Sequence, residues 1–314
     1  MKRSWIALLA ALAAAFACHA HQGGSAAECN AAHGPGHATS ILDLLDPDAS
    51  ADRRAAALEG YQRASALPHC TDYMYTLGQL YRHGPELPGN LLPKDTARAR
   101  DLLLAGAEGG RLSSYADLAE MALREGDARE AMKWTQVYLY FVKTVTRSLM
   151  DNESVKFNSA GYNGNLLLRA ERAWRKARPR LDRKLIDQDL SAYVAQSGRE
   201  VAERIRSSQT ETRRRTTAST PDELRVKNVG TCEPPKIRGI DAAMVIYVVE
   251  VLPSGRIGRV LPETFSPDPV VVEMLAHCPR VYEYEPFDSE RARTVRIPVV
   301  YGYARDAFTP SFRL

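Results

Sequence analysis

The sequence predicts a multidomain chain: a helical first two thirds, followed by a small α+β unit of order β-β-α-β. Three observations predict it. From Ile41 to about Ser208, apolar residues recur at helical spacing. The stretch VIYVVEVLPSGRIGRV at 245–260 alternates as two strands around a Pro253-Ser254-Gly255 turn. Between these regions, SSQTETRRRTTASTPDE at 207–223 lacks large apolar residues and reads as a linker. The expected division is a leader at 1–17, a flexible lead at 18–40, helical repeats at 41–206, a linker at 207–225, a second domain at 226–306 and a tail at 307–314.

Composition sets the class. Apolar residues are 45% and charged residues 25% of 314, enough for packed cores. The net charge of +4 falls to +2 without Lys2 and Arg3, and nothing in that balance points to nucleic acid.

The chain opens MKRSWIALLAALAAAFACHA. A basic start precedes twelve apolar residues, Trp5 to Phe16, whereas a membrane-spanning helix needs about 20. Ala15 and Ala17 have the A-x-A spacing of a cleavage site, so the segment reads as a secretory signal peptide and the mature chain as periplasmic. Cys18 follows at once and is the candidate lipid acceptor; a lipid there would add a peripheral membrane anchor. Bulky Phe16 disfavours that second reading.

Four further cysteines remain: Cys29, Cys70, Cys232 and Cys278. An even number in an oxidising compartment suggests two disulfides, with separate buried thiols as the competing reading. Of the three pairings, Cys29–Cys70 with Cys232–Cys278 is preferred, because each bond stays within one expected domain. No CxxC spacing occurs, so no metal or redox site is expected. His19, His21, His33 and His37 in the lead lack a completing ligand set and read as solvated.

The helical region carries internal likeness at a period of roughly 35 residues. YTLGQLYRHG is followed by DTARARDLLLAGAEGG, and YADLAEMALREGDAREAMKW repeats the logic more weakly. Gly84, Gly109–Gly110 and Gly126 are the expected helix stops. Leu77, Gly78, Tyr81, Gly84, Asp95, Ala99, Ala107 and Gly110 match places in the Sel1-like repeat, a relative of the tetratricopeptide repeat, which residues 51–142 resemble. That resemblance implies a stacked protein-binding scaffold. Further on, NGNLLLRAERAWRKARPRLDRK at 163–184 is basic and amphipathic, from Arg169 to Lys184. It reads as a solvated helix face, with an anionic surface as the alternative.

In the last domain, Val245, Tyr247, Val249 and Val251 share one strand face. SPDPVVVEMLAHC follows as a helix, with Ser266 as its expected cap and Val270, Val271, Met274, Leu275 and Cys278 on one side. RTVRIPVVYGY then alternates, with Val295, Ile297, Val299, Tyr301 and Tyr303 pointing one way. Ser254-Gly255-Arg256-Ile257, Asp268 to Ala276, Tyr282-Glu283-Tyr284-Glu285-Pro286 and Val295 to Tyr301 together resemble the C-terminal domain of TonB, the periplasmic energy transducer, over about 226–304. The resemblance implies that Thr294 to Val300, including Thr294, Arg296, Pro298 and Val300, form an edge that receives an extended peptide by strand addition. Pro298 fits an edge, since it donates nothing to a ladder. The same edge would also serve a second copy of the domain.

Catalytic motifs are absent: no G-x-S-x-G, H-E-x-x-H or P-loop occurs. His69, His83 and His277 stand singly beside expected helix ends. No enzyme activity, cofactor or metal is therefore expected. The expected role is a periplasmic protein–protein adaptor whose partners are periplasmic or outer-membrane proteins. The alternatives are a TonB-type transducer or accessory in receptor-mediated transport and, behind it, a cell-wall enzyme.

Overall fold

A computed structural model describes residues 26–146, 162–177, 183–217 and 224–302. The expected leader, Cys18, His19, His21, Tyr303 and the tail lie outside the described residues. Architecture is helix-rich, with small antiparallel sheets toward the C-terminus.

The expected flexible lead is partly helical. α1 (Ala26–His33) and α2 (His37–Leu45) form there. What the sequence hides is tertiary anchoring. Cys29 is bonded to Cys70, and Tyr73 donates to Asn30 Oδ1 at 3.0 Å. His33, read as solvated, is 3% exposed. Its Nε2 lies 2.9 Å from Ser40 Oγ, and its ring packs against Tyr61 and Tyr73.

Six helices follow: α3 (Ala51–Ser65), α4 (Thr71–His83), α5 (Thr96–Glu108), α6 (Ser113–Glu125), α7 (Ala128–Thr146) and α8 (Tyr162–Ala177). Each packs on the next in sequence. Caps fix their ends. Ser50 and Asp95 accept from the backbone N–H of Arg53 and Arg98, three residues on. α4 stops at Gly84, where φ is 55° and a Cβ would lie 2.7 Å from Lys94. The core between helices is apolar, with Leu77, Leu80, Leu103, Tyr115, Val137 and Phe141 each 2% exposed or less.

α9 (Arg183–Tyr193) runs through a π-helical segment into α10 (Arg199–Thr217). α10 thus fills the first half of the expected linker. Its sequence holds no Gly or Pro, and Val201, Ala202 and Ile205 are buried at its start.

The C-terminal part comprises β1 (Val226–Val229), β2 (Ala242–Val251), β3 (Ile257–Ser266), α11 (Val270–Leu275), β4 (Tyr282–Tyr284) and β5 (Arg293–Gly302). The β2–β3 hairpin, the helix and the last strand stand in the expected order, and the β1–β4 ribbon is an addition. A three-stranded antiparallel sheet has the order β3-β2-β5, with β1 and β4 paired separately. At the hairpin turn Gly255 has φ 80°, and a Cβ there would lie 2.1 Å from the Tyr284 carbonyl oxygen. Tyr284 in turn donates its N–H to the Gly255 carbonyl at 3.1 Å. Ser266 does not cap α11: it ends β3, and Asp268 Oδ1 takes the N–H of Val270 at 3.0 Å.

β2 is buried on both faces. Tyr247 reaches α11, donating to the Val272 carbonyl at 2.5 Å. On the opposite face Ile246 and Val248 are 8% and 1% exposed, and α2, α4 and α8 pack against the sheet. One apolar cluster therefore runs from Leu42 through the helices to Val248 and Phe265. Two disulfides staple the ends. Cys29–Cys70 ties α1 to the start of α4, and Cys232–Cys278 ties the segment after β1 to the turn after α11.

Candidate peptide-binding cleft

β5 lies at one edge of the three-stranded sheet. Its Thr294, Arg296, Pro298 and Val300 pair in register with Glu250, Val248, Ile246 and Met244 of β2. Since strand faces alternate, these four share the sheet face that carries Val248 and Ile246, the one turned toward the helical stack.

The structure separates the four. Thr294 and Arg296 line a cleft of about 1040 Å³, walled by α1, the α3–α4 turn, the end of α5 and α10. Tyr61, Asp72, Tyr73, Glu108, Glu203 and Arg204 also line it. Pro298 and Val300 lie further along the strand and are exposed, Val300 at 54%. The cleft therefore offers two aromatic rings, three carboxylates and two guanidinium groups beside a strand edge.

Arg296 is held internally on one side. Its Nε and Nη2 donate to Glu263 Oε2 and Oε1 at 2.7 and 3.0 Å. Thr76 of α4 donates to the same carboxylate at 2.6 Å. Burial opposes ionisation of Glu263, but the charge and hydrogen bonds of Arg296 outweigh it, so its carboxyl lies below the ordinary value. Arg296 keeps 35% of its side chain exposed, enough to face the cleft from this anchored position.

Further polar bridges join sheet and helices. Arg259 donates to Asp46 Oδ2 of the α2 cap and to Glu250 Oε1, both at 2.9 Å. Arg82 of α4 pairs with Asp117 of α6 and donates to Ser266 Oγ at 3.0 Å. His83, expected to stand singly beside a helix end, is fully buried. Its Nε2 lies 3.2 Å from Thr264 Oγ1, and its ring sits 4.0 Å from that of Phe265. Burial, then the nearby charge of Arg82, hold it well below the usual histidine range.

His69 and His277 are not single either. Each has its imidazole beside a disulfide, Cys29–Cys70 or Cys232–Cys278. The one sequence signal is the dipeptide His-Cys, which occurs at both places. In the basic stretch, Arg169 turns inward to ion-pair with buried Glu120, while Arg172, Arg175 and Lys176 are exposed. Among the described residues no helix is long and apolar enough to cross a membrane.

No family model, curated protein or solved structure matches this chain.

Proposed function

We propose that the chain is a periplasmic adaptor that takes an extended peptide of another protein along β5, with the helical stack as scaffold. The observation that carries this reading is the placement of an edge strand beside a cleft of about 1040 Å³. A sheet edge supplies main-chain hydrogen bonds to any extended chain, and flanking pockets choose its side chains. Tyr61 and Tyr73 offer apolar surface, and the charges of Asp72, Glu203 and Arg204 offer sign selection. Sel1-like stacking of α3 to α7 and a TonB-like fold for β2 to β5 belong to the same proposal, supported by sequential helix packing and by the β-β-α-β order.

The test is selection of a displayed random-peptide library on the mature protein, followed by backbone chemistry on the winner. Strand addition expects N-methylation of alternate peptide amides to abolish binding, while methylation of the intervening amides is tolerated. Binding insensitive to every N-methyl group, or a library that yields no binder, overturns the reading.

A further inference from the structure

The two disulfides share a local plan and differ in access. In each, the nitrogen of the preceding histidine and both sulfurs lie within 4.8 Å of one another. Cys29 and Cys70 line the cleft beside β5 but are only 7% and 2% exposed, so that bond is the less accessible of the two. At the other bond Cys278 is 4% exposed, but Cys232 is half-buried and His277 is exposed. His277 Nε2 lies 3.3 Å from Cys232 Sγ and 3.9 Å from Cys278 Sγ. An entering group therefore meets one sulfur, with an imidazole already against both.

We propose that Cys232–Cys278 is a thiol–disulfide exchange centre entered at Cys232, with a low-molecular-weight thiol or dithiol as co-reactant. Exchange runs through a mixed disulfide, and its rate depends on which sulfur is attacked and how well the other leaves. The external thiolate forms a bond to Cys232 Sγ as the Cys232–Cys278 bond breaks. The electron pair leaves on Cys278 Sγ. His277, as imidazolium, gives that sulfur its proton from Nε2 and recovers one from water, which its exposure permits. With a dithiol, the second thiolate then attacks the mixed disulfide at the reagent's sulfur. The reagent departs as a disulfide, and Cys232 keeps the electron pair and gains a proton. Two electrons pass from dithiol to protein, and two protein thiols result. Run backward, the reduced pair is reoxidised by a disulfide.

This site is separate from the cleft beside β5. Cys232 lies between β1 and β2, and Cys278 lies after α11. Peptide binding and exchange therefore stand or fall independently.

Full-length mature protein, folded and without denaturant, is treated with glutathione or dithiothreitol, quenched with iodoacetamide at intervals and mapped by mass spectrometry. Cys29 and Cys70 serve as the internal clock. Dithiothreitol is expected to open Cys232–Cys278 at least about tenfold faster than Cys29–Cys70, given the difference in access. Glutathione is expected to add to Cys232 alone. His277→Ala is expected to slow opening by about 100-fold, the lower range for loss of a positioned proton donor, with the Cys29–Cys70 rate unchanged. His277→Gln, which keeps a polar group but carries no transferable proton, is expected to be as slow. Equal opening rates, an adduct on Cys278, or full speed in both His277 variants overturns the proposal.

Discussion

The helix–helix core and the helix–sheet seam are both buried, but they are built from different materials. Between α4, α5 and α6 the contacts are mostly apolar and non-directional, among them Leu77, Leu80, Leu103, Ala107 and Leu118, with Arg82–Asp117 as a buried ion pair between α4 and α6. Between the helices and the sheet, apolar packing is threaded by Arg82–Ser266, Thr76–Glu263–Arg296, His83–Thr264 and Arg259–Asp46. Apolar burial stabilises any arrangement that hides the area. Buried charge tolerates little but the geometry that pairs it, and adds little net stability relative to apolar groups of the same shape. The stack is thus held chiefly by area, with Arg82–Asp117 and Arg169–Glu120 as ion pairs inside it, and the docking angle of the sheet is set by the polar partners that cross to it.

The largest effect is expected at Asp117, whose partner Arg82 also reaches Ser266 of the sheet. Asp117→Ala leaves the Arg82 guanidinium buried without its carboxylate, and is expected to destabilise the fold by about 3–5 kcal/mol in urea unfolding. Replacing the pair together, as Arg82→Met with Asp117→Leu, is expected to recover most of that loss. If the double variant is as weak as the single, the uncompensated Arg82 charge is not the source of the loss.

Leu103→Ala probes the other region. It sits against Gly78 and is fully buried, so a cavity loss of about 3 kcal/mol is expected. Its signature differs in kind: the loss is expected to be the same at pH 5 and pH 8. A pH-dependent loss would place charge where only area is assigned.

The smallest effect, and the most diagnostic, is the pH profile of the intact chain. His83 is held below its ordinary value of 6.5, so its neutral form belongs to the fold. Its contribution is complete above about pH 6.5 and is lost as the pH falls toward the folded value, because the unfolded chain takes up the proton first. Glu263, Asp46 and Glu250 are held below 4.5, 3.8 and 4.5, so their contribution persists lower and is lost as the pH falls below those values. Asp117 runs the other way: burial raises its value, so acid favours it in the fold. Two acid stages are therefore expected in urea midpoints, and His83→Gln is expected to remove the upper one. An unchanged upper stage would exclude His83 as its source.

Local chemistry made much of the sheet region legible. The alternation at 245–251, the Pro-Ser-Gly turn and the β5 pattern all act within ten residues, and the hairpin and last strand formed where expected. The seam is long-range, so it was not legible in the same way. One trace existed: Val245 to Val249 is apolar without a break, the mark of a strand covered on both faces. Reading only its odd residues left Ile246 and Val248 unexplained. Arg296 had no local signal either; its partners Glu263 and Thr76 stand 33 and 220 residues away. α1 and the end of α10 were missed for the opposite reason. Small and polar residues suit loops on average, but Cys29 and His33 are buried against distant elements, and α10 continues past its buried start at Val201, Ala202 and Ile205 through a run without Gly or Pro.

The seam also bears on descent. Asp46 answers to Arg259, Thr76 to Glu263 and Arg82 to Ser266, so a change on one side leaves a buried group on the other without its partner. The helical stack and the sheet are thereby inherited as a pair. Among homologous chains, these positions should drift in concert, and a lineage that sheds the sheet should also lose Asp46, Thr76 and Arg82.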